Sequence, residues 1–465
     1  MKVKIIQIIL ALFLTNFVFS QNTPEIKITY SKLLATYDFV KQLSNNYPDN
    51  QYKQVFKESE FNKKHYNDLI NQLDTLNIYE SYNFQGYPIG QKRPVMTKSL
   101  IERNLIHSKT ITEFKKKTFG IIPNSELLPL SNIISEFEIV YNQLVFIPNE
   151  NEFETKLDEL KNYVAKANLS FFFEKGLTFY NADWDISIPI DIAIIPSIKE
   201  NGFTATAFLN NAISEVPLKF KQNDVLFSVL MHEIYHSVYN EQSLELKQKI
   251  KTWFDDNPSK NSQYAYLLLN EALATALGNG FVFEQLNGTT DKEDWYFNKY
   301  INLMAKEIYP LVKEYLDENK PIDKRFIDEY IAIYDRKFSV WLNELDNLLT
   351  NRYVITDNPN DFSFFRKNYR YSSISQSEVP LTQIALERMK TTPITKIIIV
   401  SSDHQNKLEL IKNTFEELKN WKFNSKQEFA YPIDLKDKTK LIIINQQKST
   451  IDKLFSENFK DKKLE

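Results

Sequence analysis

The residues with the clearest chemical potential are His232, Glu233 and His236, inside the string Met231-His232-Glu233-Ile234-Tyr235-His236. The segment reads as a helix. Successive helical residues turn by about 100°, so the two imidazoles differ by only about 40° and project from one face. Glu233 lies on the flank of that face. Two nitrogens so placed can hold a zinc ion, and a carboxylate beside them can take a proton from water bound there. Five histidines in 465 residues leave little room for such a string to arise from composition alone.

A zinc ion needs a third ligand. A metal helix that continues with a glycine three residues past its second histidine, and a further histidine six past it, is excluded, because those positions hold Tyr239 and Gln242. No histidine lies between His236 and His404, so a carboxylate is expected. Glu241 is nearly opposite His232 around the helix and cannot turn inward. Asp255 and Asp256 precede Asn257-Pro258, where a helix should be ending. Glu271 stands in Asn270-Glu271-Ala272-Leu273-Ala274, directly after Leu267-Leu268-Leu269. An unpaired carboxylate in so apolar a helix is costly to bury, which favours Glu271.

The elements that must position these groups follow from the local pattern. The helix carrying the histidines should start near Asn223 or Asp224, and Val225, Leu226, Val229, Leu230 and Ile234 give it a largely buried surface. Burying two histidines and a glutamate without partners costs roughly 1–3 kcal/mol for each group, a deficit that a bound metal removes. The helix of Glu271 is expected from about Ser262 to Leu277, ending at Gly278-Asn279-Gly280. Its Ala272, Ala274 and Ala276 permit close approach by a neighbour. Before the histidines the period changes: Ile186 to Ile190 alternates, Ile192 to Ile195 is apolar, and Gly202 to Leu209 is β-prone.

The rest of the chain frames this region. Lys2 and Lys4 followed by the apolar Ile5–Phe19 read as a signal peptide over residues 1–20, cleaved before Gln21 and too short to span a membrane. An exported protein, periplasmic or extracellular and without a stable membrane anchor, is expected. Cysteine is absent, which excludes disulfides and cysteine-ligated zinc. A net charge of −3 gives no reason to invoke nucleic acid. Residues 21–148 read as a helical region. A second helix-bearing region spans 149–350, with Pro310 and Pro321 as expected breaks. Residues 351–392 are polar and read as a linker. Residues 393–465 alternate apolar runs with helices, as a small α/β unit with buried parallel strands does. The expected class is α+β and helix-rich. His65 and His107 lack partners at metal spacing, and His404 follows a strand without a glycine-rich turn, so none is assigned a site.

Through His232-Glu233-x-x-His236 and Asn270-Glu271-x-x-Ala274 the chain resembles the gluzincin class of zinc peptidases, over residues 185–345. The resemblance implies a zincin-like catalytic domain within 149–350, with Zn2+ held by His232, His236 and Glu271. It also implies Glu233 as general base and a peptide or protein as substrate. An edge strand beside the cleft would pair with that substrate, and Thr204–Ala212 is either this strand or an ordinary core strand. A downstream tyrosine, Tyr296 or Tyr300, would stabilise the oxyanion. Two departures stand out. The interval of 35 residues from His236 to Glu271 is longer than in thermolysin-like members. Ala274-Thr275 occupies the place of their Ser-Asp, so another group must orient a zinc histidine. The rival readings are a non-catalytic exported binding or scaffold protein with a vestigial motif, and a zinc hydrolase of non-peptide substrates.

Overall fold

In the computed structural model, residues 23–91 and 94–464 are described; the expected signal peptide and its cleavage site lie outside them. The chain is helix-rich and α+β. Strand β1 (Ile26–Thr29) is followed by helices and a hairpin of β2 (Ser81–Asn83) and β3 (Pro94–Met96). Then come β4 (Ile190–Ser197), β5 (Thr206–Phe208) and β6 (Asn211–Pro217). These form a sheet in the order β1-β4-β6-β5, with β1, β4 and β6 parallel and β5 antiparallel at the edge. The N-terminal region is therefore not purely helical: its first strand completes the sheet of the next region, with Ile28 opposite Ile192.

Side chains of a strand alternate between faces, and this sheet is buried on both. Ala193, Ile195 and Ile213 meet the N-terminal helices through Leu33, Phe39, Ile133 and Phe137. Ile192, Ile194, Ala212 and Val216 join the core that holds Leu226, Leu230 and Ile234 of the motif helix (Asn223–Asn240). This explains why Ile192–Ile195 is a continuous apolar run rather than an alternating one.

The second sheet has five strands: β7 (Asn351–Thr356), β8 (Ile374–Glu378), β9 (Thr395–Val400), β10 (Phe429–Asp434) and β11 (Lys440–Asn445). Their order is β10-β11-β9-β7-β8, and only β10 is antiparallel to its neighbour. The expected parallel pair, β9 with β11, is present. The stretch 351–392 is not a linker. It supplies β7, β8 and the helices Asp361–Asn368 and Gln383–Lys390. Its polarity has a simple source. β8 is an edge strand with alternately exposed Ser375 and Ser377, and β7 opens with Asn351 and Arg352, which are buried polar residues. Pro310 lies inside the helix Lys299–Asp317 rather than breaking it. No helix among the described residues is long and apolar enough to cross a membrane.

Candidate metal centre

The motif helix starts at Asn223, as its pattern demands, with Asp224 in the first turn next to the free amides. Its packing is close. The Tyr235 hydroxyl donates to the Phe172 carbonyl at 2.9 Å on the helix Leu169–Tyr180, and Gly176 of that helix lies under the Tyr235 ring. His232 is buried at 2 % exposure.

Glu271 comes from the carboxylate helix (Ser262–Thr275). This helix does not stop at Gly278-Asn279-Gly280. It widens into a π-helical segment, Ala276–Val282, and runs on to Asn287, where Gly288 with φ of 85° ends it. Gly278 is the point of closest approach to the motif helix. A Cβ there would stand 2.6 Å from His232 N, Cα and Cβ, so the crossing requires the residue without a side chain. Ala272 and Ala276, both fully buried, flank it as their small size implies.

This crossing brings three of the expected site residues together. His232 Nε2 and His236 Nε2 are 3.2 Å apart, and Glu271 Oε2 lies 3.9 Å and 3.6 Å from them. Among the described residues this is the one group of three or more potential metal-ligating side chains close enough to share an ion. A circle through the three atoms has a radius of about 2.1 Å, the length of a Zn–N or Zn–O bond. Asp255, the rival carboxylate, is instead ion-paired with Lys251 on the surface of the helix Leu244–Asp256.

The outer nitrogens explain why the inner ones converge. His236 Nδ1 donates to Asn270 Oδ1 at 3.1 Å. Asn279 adjoins His232, and His232 Nδ1 and Asn279 Oδ1 are both buried without a hydrogen bond. When both rings are neutral, as metal binding requires, and both Nδ1 atoms carry the proton, both Nε2 atoms present lone pairs towards the carboxylate oxygen. Glu271 Oε2 is itself buried and without a hydrogen bond. Three acceptors facing one point with no donor among them fit a cation. Asn270 thus supplies the orienting partner left open by Ala274-Thr275, and Asn279 stands beside the other ring. Asn270 was within the recognised motif; Asn279 was hidden in an apparent helix terminus.

Without metal, the electrostatics place one extra proton on the cluster, at His236. Burial and the neighbouring His236 depress His232 to about 3, so it stays neutral. Burial alone would lower His236, but the Glu271 carboxylate raises it to about 9. Burial alone would raise Glu271, yet His236 overrides it and holds the carboxyl at about 2. Glu233 is half-buried beside the cluster, and its carboxyl is raised chiefly by burial, against the lowering effect of His236 and with a smaller push upward from the Glu271 charge. A raised carboxyl pKa suits a proton acceptor that must later give the proton back.

Tyr296 and Tyr300 part company. The Tyr300 hydroxyl donates to Glu344 at 2.7 Å and so is committed outside the cluster. The Tyr296 ring stacks on His232, with centroids 5.6 Å apart and planes 20° apart, and its hydroxyl adjoins the Glu271 carboxylate. Tyr371 stands next to that hydroxyl, and Phe297 packs edge-on against Tyr371. Tyr371 escaped sequence reasoning because it lies in the stretch expected to be a linker. β5 is the edge strand next to the cleft, and Thr206, Ala207 and Phe208 line a cavity with His236. The core strand in this region is β6. Comparison with family models, with curated proteins and with solved structures returned no match for this chain.

Proposed function

We propose that the chain is a zinc-dependent peptidase of gluzincin type, with a zincin-like catalytic domain built around the two crossing helices. The observation that carries this reading is the convergence of three potential electron-pair donors, His232 Nε2, His236 Nε2 and Glu271 Oε2, with the outer nitrogen of His236 held by the Asn270 amide oxygen. Two imidazoles and one carboxylate suit zinc better than magnesium or calcium, which prefer all-oxygen sites. Zinc bound there would supply a water of lowered pKa and polarise a carbonyl.

The chain's own residues do the rest. Glu233 accepts a proton from the attacking water and delivers it to the leaving amine. The Tyr296 hydroxyl, beside Glu271, offers a donor to the carbonyl oxygen as charge develops on it. The free edge of β5 pairs with an extended peptide next to His236. Export to the periplasm or beyond is part of the proposal and rests on the first twenty residues of the sequence.

Metal analysis and peptidase assays test the reading together. Wild type should carry close to one zinc per chain, and Glu271→Ala should lose it while Asp255→Ala keeps it. Glu233→Gln should retain the metal and lose at least about a thousandfold in kcat. A well-folded wild type that takes up no zinc sinks the proposal.

A further inference from the structure

Resting on that proposed function, we infer that the cleft takes an internal segment of an extended polypeptide, so that the enzyme acts as an endopeptidase. The ligand residues His236 and Glu271 line two different depressions. One depression of about 250 Å³ opens at His236, between β5 and the segment that carries Pro94 and Met96. A second of about 190 Å³ opens at Glu271, walled by Ile89, Gly90, Ser373 and Ile374. Each has room for a side chain. His236 lines the first depression and Glu271 the second, and their ligand atoms are 3.6 Å apart, so a chain seated in both crosses at the ligand set.

Each depression is bordered by an unpaired strand edge. β5 terminates the first sheet, and β8, which begins at Ile374, terminates the second. A strand edge offers a row of amides and carbonyls that an extended peptide can complete, whatever its sequence.

An exopeptidase needs the opposite: a closed end with a charge that captures a terminal ammonium or carboxylate. The charges among the described lining residues are committed elsewhere. Lys98 lies 3.9 Å from Glu102, Glu102 also pairs with Lys41 at 3.5 Å, Glu241 is engaged, and Glu271 belongs to the ligand set. Among the described residues, the depression at Glu271 has no cation in its lining. The described linings thus hold no uncommitted charge for a substrate's end, and a peptide with blocked ends fits them as well as a free one.

The test uses the zinc-loaded full-length protein and a length series of internally quenched peptides, each made with free ends and with N-acetyl and C-amide ends. Blocked and free forms should be cleaved within about threefold of each other, at internal bonds, with kcat/KM rising about tenfold or more from the shortest to the longest. Binding provides an independent readout. A fluorescein-labelled blocked peptide should bind zinc-loaded Glu233→Gln, and Ile374→Arg or Met96→Arg introduced into that protein should weaken binding about tenfold with zinc content unchanged. Release of one or two residues from free ends only, with blocked peptides resistant, overturns endo-action and leaves the peptidase reading intact. Bound zinc with no cleavage of any peptide overturns the peptidase reading itself.

Discussion

Asn270 accepts a hydrogen bond from His236 Nδ1 at 3.1 Å, and that bond selects the tautomer whose other nitrogen is free to bind metal. Asn270→Ala leaves the three ligands in the sequence but frees the ring to turn. Zinc affinity should fall about 10–100-fold, measured by competition with a chromophoric chelator, with the fold unchanged by circular dichroism. The proton inventory gives a second expectation at this scale. Before metal binds, His236 is raised to about 9 and is an imidazolium at pH 7, whereas His232, lowered to about 3, is neutral. Metal binds only the neutral imidazole, so uptake at pH 7 should release close to one proton, and affinity should fall as pH drops below about 9. Isothermal titration in buffers of different ionisation enthalpy measures this directly; no net release contradicts the assigned protonation.

Between elements, the decisive contact is the crossing of the motif and carboxylate helices at Gly278. Gly278→Ala inserts a methyl 2.6 Å from the His232 backbone, where no flexible side chain can yield. Overpacking of this kind costs about 1–3 kcal/mol, and here it also separates Glu271 from the histidines. A melting temperature lower by several degrees together with weakened zinc binding is expected, whereas Gly288→Ala, with open space around it, should leave zinc binding intact. Much of this arrangement was legible in the sequence. The i,i+4 histidines, the Glu271 carboxylate and the small residues beside it all follow from spacing and burial. What was not legible has physical causes. Gly278 and Gly280 resemble a helix terminator, but they serve close packing against His232 and Trp295. β8 reads as polar loop because an edge strand is half solvated. β1 is four residues long and takes its stability from β4 rather than from its own pattern.

For the molecule as a whole, the two sheets are not independent. One continuous hydrophobic cluster runs from Ile26 through the motif helix to Ile442 and Leu464. The start of the carboxylate helix is tied to the C-terminal sheet by Gln263 donating to the Pro393 carbonyl at 2.7 Å. Tyr264 and Thr395 share a bond of 2.9 Å, and Lys438 donates to Ser262 at 2.9 Å. The C-terminal end returns as well, Leu464 N donating to the Asn343 carbonyl at 2.8 Å. A chain ending near residue 350 should therefore fail to bind zinc or remain soluble, even though it retains all three ligands. Calorimetry of the full chain should show a single transition; two separated transitions would mean that the C-terminal unit folds alone.

The π-helical turn at Ala276–Val282 carries a consequence for insertions and deletions. In an unbroken α-helix Asn279 would sit about 80° around the axis from Glu271. The wider turn, bonded i→i+5, brings the asparagine back towards the face of the glutamate, where it meets His232. No loop separates Glu271 from Asn279, so a residue gained or lost between them has nowhere to be absorbed and rotates one partner out of the cluster. Along this stretch the count of residues is constrained as tightly as their identities.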